Sequence, residues 1–449
     1  MRGLAAAILM IALGIPPAFA QAKAQPNPAP QAGSGPASAQ FVDKETVYEE
    51  LNLFDEAFER IRRDAVDPVS STKLITAAIT GMLSGLDPHA SYLDPAAYKA
   101  LKGAAGTDTD TVGLTVSLEN GELRVISPRD GSPAAKAGLK PGDLIFAIDK
   151  EPTFAMTLPQ AEERLAGPPG SKVSLTVLRQ GSSKPLHITL TRANYQLQTV
   201  TSHVVAGNIG YIRIAGFDAG TLAGLTSAMQ SLRQQTGDKL IGLILDLRNN
   251  PGGNFADAVK TASAFLDKGD VAIIRGRQPG ADKRIAAAPG GDIAKGLPIV
   301  ALIDGGTARA AELVAGALHD NHRAVLIGTK TFGDSAIETL IPLDSGGAIR
   351  LTTARFLTPN GHEIEGKGIT PDLTVKPLKV ETIASAETLH EADLPGALKN
   401  PDAPAAKPAT AAATAPAGSG GSGWQKDAQL TEAVDVLRGL AVYSRHASG

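Results

Sequence analysis

The spacing of apolar residues changes twice along the body of the chain. Between residues 46 and 86 they recur at helical intervals, with Asp67-Pro68 separating two amphipathic helices. Between 112 and 191 the apolar runs are short, which predicts strands. From 207 to 375, unbroken apolar runs alternate with amphipathic segments, as in α/β sheets whose strands are buried on both faces.

Individual elements follow from these patterns. The short strands are predicted at 114–118, 123–126, 144–148, 173–178 and 187–190, with helices starting near Ser132 and Pro159. The buried strands are predicted at 240–247, 297–303 and 323–328, with a helix ending near Asp320.

The first twenty residues have the pattern of an export signal. A short positive start precedes an apolar segment from Leu4 to Ile15, and Ala18-Phe19-Ala20 supplies small residues for a signal peptidase. Residues 1–20 are therefore predicted to be a signal peptide, and the protein to be exported to the periplasm or cell envelope. The alternative is an uncleaved N-terminal anchor.

Two segments lack the apolar residues that a core needs. Residues 21–40 and 401–423 are rich in Ala, Pro, Gly and Ser and are predicted to be disordered linkers. Residues 424–449 then show an apolar helical face at Leu430, Val434 and Leu437. We expect this C-terminal helix to dock on the protein's own body; the alternative is a partner protein.

Composition excludes several classes of function. The 43 Lys and Arg against 46 Asp and Glu argue against nucleic acid as the main partner. Zero cysteines exclude disulfides, a thiol nucleophile and thiolate metal sites. No nucleotide-binding motif is present, and His319 and His322 are explained by a helix C-terminus, so neither a cofactor nor a metal is predicted.

The run SPAAKAGLKPGD at 132–143, followed by an apolar strand, resembles the signature of a PDZ domain. The resemblance implies that the loop formed by Val112, Gly113, Leu114 and Thr115 presents backbone amides to a peptide's terminal carboxylate, while the peptide adds as a strand. A small β-barrel with a similar glycine-rich turn is the alternative.

Two loops leave the carboxyl ends of predicted buried strands, where sites on such sheets usually lie. One is DLRNNPGG at 246–253, whose consecutive glycines suit an oxyanion hole. The other is DGGTARAAE at 304–312, which turns directly into a helix. A residue at that turn would sit at the positive end of the helix dipole.

Over residues 41–445 the chain resembles the carboxyl-terminal processing proteases, also called tail-specific proteases. The resemblance rests on the order and spacing of the PDZ segment, the 246–253 loop and four further motifs, LDPH at 86–89, GTKTFG at 328–333, LTTARF at 351–356 and GKGITPD at 366–372. This family implies a serine protease in which a buried neutral lysine removes the serine proton.

The residues implied to form this dyad are replaced here. The family's nucleophile, in a sequence like GGSASASE, falls on Arg309, its lysine falls on Asp334, and a helping glutamine falls on Glu338. The implied oxyanion-hole amides are those of Gly252, Gly253 and Ala310.

A guanidinium cannot act as the nucleophile, and a cation at a helix N-terminus needs an anion. We therefore expect Arg309 to pair with Asp334, with Glu338 sharing the contact, and to plug the former active site. The alternative is an Arg309 side chain that points into solvent.

The fold expected is α+β and modular. It comprises a helical block (41–105), a PDZ domain (106–195), a protease-like α/β core (196–380) with an extension (381–400), and the C-terminal helix (424–449).

The function expected is that of an inactive homologue that binds apolar protein C-termini as scaffold, adaptor or regulator. Assembly with a second copy or with an active relative is left open. The alternative is a working peptidase with a non-standard dyad drawn from Thr307, Ser335, Lys330 and Lys367.

Overall fold

The computed structural model describes residues 44–103, 112–119, 121–195, 198–237, 239–278, 280–378 and 423–447. The predicted signal peptide, the first linker, the core extension and nearly all of the second linker lie outside these residues. Among the described residues, no helix is long and apolar enough to cross a membrane. The α+β, modular fold class is confirmed.

The chain divides into two compact units, residues 1–74 and 75–449. In the described part of the first unit, the main element is helix α1 (Lys44–Asp64). Helix α2 (Ser71–Ser84) spans the boundary and is followed by β1 (Ser91–Leu93) and α3 (Pro95–Gly103), which is the helical block that the spacing predicts.

Within the second unit, a β-rich domain follows α3 and matches the predicted short strands. Its elements are β2 (Leu114–Glu119), β3 (Glu122–Pro128), α4 (Pro133–Lys136), β4 (Leu144–Ile148), β5 (Glu151–Pro152), α5 (Leu158–Leu165), β6 (Lys172–Leu178) and β7 (Leu186–Thr191). The sheet order is β2-β3-β4-β6-β7, so β2 lies at an edge. Ser132 and Thr157 cap α4 and α5, and Pro at the start of each helix favours these boundaries.

The α/β core contains a sheet with the order β17-β14-β13-β10-β9-β8. Its strands and helices are β8 (Val200–Val205), β9 (Ile209–Ile214), α6 (Thr221–Thr236), β10 (Gly242–Asp246), α7 (Phe255–Ser263), β13 (Ile299–Ile303), α8 (Ala310–Asp320), β14 (Ala324–Gly328), β17 (Leu373–Thr374) and α9 (Ala428–Ala447). All pairings are parallel except that of β8 with β9.

Both faces of this sheet are buried, which explains the unbroken apolar runs. Leu243 and Leu245 of β10 face the core formed with α6, α7 and α8. Ile244, between them, faces a second core that includes Leu437 of α9. The C-terminal helix thus docks on the protein's own body, as predicted.

A third, antiparallel sheet was not predicted. It has the order β1-β16-β11-β12 with β15 also paired to β16, and its further strands are β11 (Asp270–Gly276), β12 (Lys283–Ala286), β15 (Ala336–Pro342) and β16 (Ala348–Leu357). Ser91 of β1 and Leu340 of β15 both pair with Arg350. This sheet brings the segment before β1 close to the residues around Asp334.

Candidate active site

The loop between β13 and α8 is held in place by hydrogen bonds to the side chain of Asp304. The Asp304 carboxylate accepts hydrogen bonds from the backbone N–H groups of Asn249 (2.8 Å) and Gly306 (2.9 Å). Burial is the main reason that the pKa of Asp304 is raised above its usual value, against the effect of these two amides. The bonds tie the two predicted site loops, 246–253 and 304–312, to each other.

Arg309 sits at the N-terminal end of α8 in a strained backbone conformation, with φ 51° and ψ −120°. A non-glycine residue in such a region costs about 1–3 kcal/mol and is typical of functional turns. Gly252 lies directly beside it, since a Cβ added at Gly252 would come within 2.9 Å of the Arg309 Cβ. The sharp turn expected at a nucleophile position is therefore retained around an arginine.

The predicted ion pair is present. Arg309 Nε donates to Asp334 Oδ2 at 2.7 Å, and the exposed fractions of the two side chains are 35% and 3%. Burial opposes the charge of Arg309, but Asp334 outweighs it, with smaller contributions from Glu338 and Glu162, so the pKa of Arg309 is raised further. Arg309 is only partly covered, whereas Asp334 is fully enclosed.

Glu338 was expected to share this contact. The structure places its carboxylate 3.5 Å from Arg350 Nε and 3.7 Å from His89 Nδ1. The negative charge of Glu338 helps to raise the pKa of Arg309. Sequence reasoning gave no role to His89, which it named only as part of a family motif.

Glu312, a buried residue of α8, connects the turn at Arg309 to the segment from Thr331 to Asp334 by hydrogen bonds. Its carboxylate accepts hydrogen bonds from Thr331 Oγ1 (2.5 Å) and from the backbone N–H groups of Gly333 (2.8 Å), Asp334 (3.0 Å) and Arg309 (3.1 Å). Burial raises the pKa of Glu312 to about 8, although these donors favour the ionised form. The positions of residues 309 and 334 are thus set by one buried side chain.

The three predicted oxyanion-hole amides differ in availability. The Gly252 N–H donates to Asn250 Oδ1 at 2.9 Å, so it is already engaged. A Cβ at Gly252 would lie 3.0 Å from the Ala310 nitrogen, which places Gly252 and Ala310 side by side. The roles of Gly253 and Ala310 as donors to a substrate oxygen stay predictions.

In the alternative dyad, the two hydroxyls donate hydrogen bonds to other groups of the protein, and the two lysines are exposed. Thr307 Oγ1 donates to the Leu247 carbonyl at 2.9 Å, and Ser335 Oγ donates to Glu365 Oε2 at 3.0 Å. Lys330 is exposed, and Lys367 is 67% exposed beside Glu363. Neither lysine has the burial that keeps an amine neutral.

In the β-rich domain, the predicted peptide-binding loop is anchored to α4. The Val112 carbonyl accepts from Ala134 N (3.0 Å), and the Gly113 carbonyl accepts from Arg129 N (2.8 Å). Leu114 and Thr115 open β2, the edge strand, against which α5 packs. An edge strand beside a helix is the arrangement that strand addition requires, and peptide binding there stays a prediction.

The histidines at the end of α8 form local contacts. His319 Nε2 lies 3.1 Å from Asp372 Oδ1, and its Nδ1 lies 3.3 Å from Asp320 Oδ1. His322 is exposed. These contacts fit the helix-terminus role expected from the sequence.

Three family models match the chain. The model of peptidase family S41 matches residues 208–375, a PDZ domain model matches 124–179, and the model of the activating protease CtpB N-terminal domain matches 12–97. Together they cover the helical block, the β-rich domain and the α/β core.

Relatives aligned over two thirds or more of their length agree with these models. A carboxy-terminal-processing protease of Bartonella bacilliformis is 40% identical over 399 residues, which is 88% of this chain and 90% of the relative. Carboxy-terminal processing protease CtpA of Bacillus subtilis is 34% identical over 72% of this chain and 68% of its own length. The solved structure of the photosystem II D1 C-terminal processing protease is 31% identical, with a TM-score of 0.62 over 73% of this chain and 93% of that one.

Proposed function

The chain belongs to the carboxyl-terminal processing proteases of peptidase family S41, and within that family we propose that it is a pseudoprotease. It binds apolar protein C-termini through its PDZ domain and does not cleave them. The observation that carries this proposal is the bond between Arg309 Nε and Asp334 Oδ2, at the positions that the resemblance assigns to the nucleophile and its base.

The chemistry of the family explains why this bond matters. Acyl transfer by a Ser/Lys dyad needs a hydroxyl to attack and a neutral amine to take its proton. A guanidinium paired with a carboxylate offers neither that hydroxyl nor that amine, and pairing raises the pKa of Arg309 further. Thr307 and Ser335 donate to groups of the fold itself, which supports the view that neither of these two hydroxyls serves as a substitute nucleophile.

The remaining machinery favours a binding function. The PDZ fold keeps an edge strand beside α5. The sharp turn at Arg309, the glycine-rich loop at 246–253 and Glu312 keep the architecture of a site without its chemistry. We assign the protein a role as scaffold, adaptor or regulator that holds C-terminal tails, on its own or with an active relative. The pattern of residues 1–20 supports export to the periplasm or cell envelope.

Fluorescence anisotropy with a labelled disordered peptide ending in apolar residues tests the binding. The peptide with a free carboxylate should bind, and the same peptide with a C-terminal amide should bind at least about ten-fold more weakly, because the loop at 112–115 recognises the carboxylate. Equal binding of the two peptides would contradict the assignment.

Two glycine variants provide matched controls for that experiment. Gly113 and Gly131 have similar positive φ values of 69° and 73°, but a Cβ would lie 2.0 Å from the Ser132 Cβ at Gly113 and meets nothing within 4 Å at Gly131. Gly113→Ala should therefore weaken binding, while Gly131→Ala should leave it close to wild type. Both bound and free peptide should be recovered at their original mass.

A further inference from the structure

Beside the Arg309–Asp334 pair, the fold gathers His89, Asp334 and Glu365, each with one candidate ligand atom within 4.8 Å of the others. We propose that these three side chains form a binding site for a divalent transition-metal ion, with Zn²⁺ the best fit. No metal is predicted from the sequence, in which the three residues lie in separate segments that only the fold brings together.

The distances suit metal ligands better than direct contacts. His89 Nε2 lies 3.7 Å from Asp334 Oδ1, which is too long for a hydrogen bond. Two ligand atoms on one tetrahedral zinc ion, each about 2.1 Å from the metal, are separated by about 3.4 Å. Glu365 supplies the third ligand atom, within 4.8 Å of those of His89 and Asp334.

His89 is a buried imidazole without a sufficient set of partners. The residue is 9% exposed, and its Nδ1 has no hydrogen-bond partner among the described residues. Its backbone is fixed, since the His89 N–H donates to Asp87 Oδ1 at 2.8 Å. A buried polar nitrogen left unpaired is costly. A metal bound at Nε2 would keep the ring proton on Nδ1, which faces Glu338.

Each ligand also has a group placed to orient it. Glu338 Oε1 lies 3.7 Å from His89 Nδ1, on the far side of the ring from Asp334. Ser335 donates to Glu365 Oε2 from its backbone N–H (2.8 Å) and its hydroxyl (3.0 Å). Carboxylates behind a ligating imidazole and hydrogen bonds to ligating carboxylates are the usual supports of a metal site.

The cluster has more carboxylates than arginines paired with them, so its net charge favours binding of a cation. Asp334, Glu338 and Glu365 bring three carboxylates, against which Arg309 pairs with Asp334 and Arg350 with Glu338. Arg309 takes Oδ2 of Asp334 and leaves Oδ1 facing His89. The arginine is therefore a neighbour of the bound ion and does not fill its place.

The ligand types select the class of metal. One imidazole nitrogen with carboxylate oxygens suits Zn²⁺, Co²⁺ or Mn²⁺, whereas Mg²⁺ and Ca²⁺ prefer sites made of oxygen alone. Among these transition ions Zn²⁺ binds such sites more tightly than Mn²⁺ or Co²⁺.

Isothermal titration of the tag-free, chelator-stripped full chain with ZnCl₂ tests the site. We expect one ion per chain, and at least about ten-fold weaker binding in His89→Gln and in Glu365→Gln. The control variants His319→Gln and His322→Gln, which change the histidines at the end of α8, should bind as the wild type does.

Cobalt provides a direct spectroscopic readout. Co²⁺ added to the wild type should give visible d–d absorption bands that are lost in His89→Gln, with thermal melts showing that the variant is folded. The absence of stoichiometric zinc binding, or zinc binding unchanged in both His89→Gln and Glu365→Gln, would overturn the proposal.

Discussion

At the scale of single residues, Arg309 and Asp334, which the resemblance places at the dyad positions, form a charge pair between one partly exposed and one fully buried partner. Removing Asp334 leaves the Arg309 cation at the N-terminus of α8 without its anion. Breaking a fully buried pair costs about 3–5 kcal/mol, but Arg309 is 35% exposed, so we expect Asp334→Ala to cost about 2 kcal/mol.

A double-mutant cycle isolates the pair itself. Arg309→Ala also destabilises, because it leaves the Asp334 carboxylate buried and unpaired. The double variant Arg309→Ala/Asp334→Ala should cost less than the sum of the two single variants, by about 1–2 kcal/mol in urea unfolding. Additive losses would show that the pair contributes nothing.

Because the pKa of Glu312 is raised in the folded protein, we expect the stability to depend on pH. Its pKa is about 8 in the folded protein against an ordinary value of 4.5, so between these values the folded state holds a proton that the unfolded state has released. Its contribution to stability is therefore present below pH 4.5 and is lost as pH rises towards 8. The loss between pH 6 and 8 amounts to about 2 kcal/mol.

Glu312→Gln removes the titrating group and provides the comparison. Chemical denaturation at several pH values should show the free energy of unfolding of the wild type falling relative to that of the variant as pH rises from 6 to 8. A difference between the two proteins that stays constant over this range would show that Glu312 does not titrate there.

At the scale of elements, α9 completes the α/β core. Leu437 is fully buried, and a Cβ at Gly242 of β10 would lie 2.6 Å from its Cδ2. Leu437→Ala should lower the free energy of unfolding by about 3 kcal/mol, as other buried leucine truncations do. Leu440→Ala, on the same helix but at a residue that is 41% exposed, should cost less than about 1 kcal/mol.

If α9 instead belonged to a partner in solution, the two leucine variants would differ little in the stability of the isolated protein. Thermal melts over a range of protein concentrations separate these cases, because docking within one chain makes the midpoint independent of concentration.

The elements that the sequence predicted are those whose periodicity reflects burial. The strand at 240–247 is observed as Gly242–Asp246 because both of its faces are covered. The third sheet was missed because β15 is largely exposed and β16 pairs with strands from distant parts of the chain. Arg309 and Asp334 could be predicted to meet because the family resemblance aligns them with the dyad positions. The approach of His89 and Glu365 depends on pairings that no local pattern encodes.

At the scale of the whole molecule, the glycine-rich loop at 246–253 is the junction between modules. Ser127 of the PDZ domain donates to the Asn249 carbonyl at 2.7 Å. Arg248 of the same loop contacts Asp427, just before α9, at 2.8 Å and Gln429 of α9 at 2.9 Å. The chain thus keeps the assembled architecture of a protease around a site that holds an ion pair.

Mass spectrometry of a disordered peptide with an apolar C-terminus, incubated for hours with the purified wild type, shows whether the protein cleaves such peptides. Arg309→Ser/Asp334→Lys, which introduces the residue types that the resemblance implies for the dyad, is the companion sample. We predict that the wild type leaves the peptide at its original mass. Product formation by the wild type that is lost in Thr307→Ala or Ser335→Ala would contradict the account.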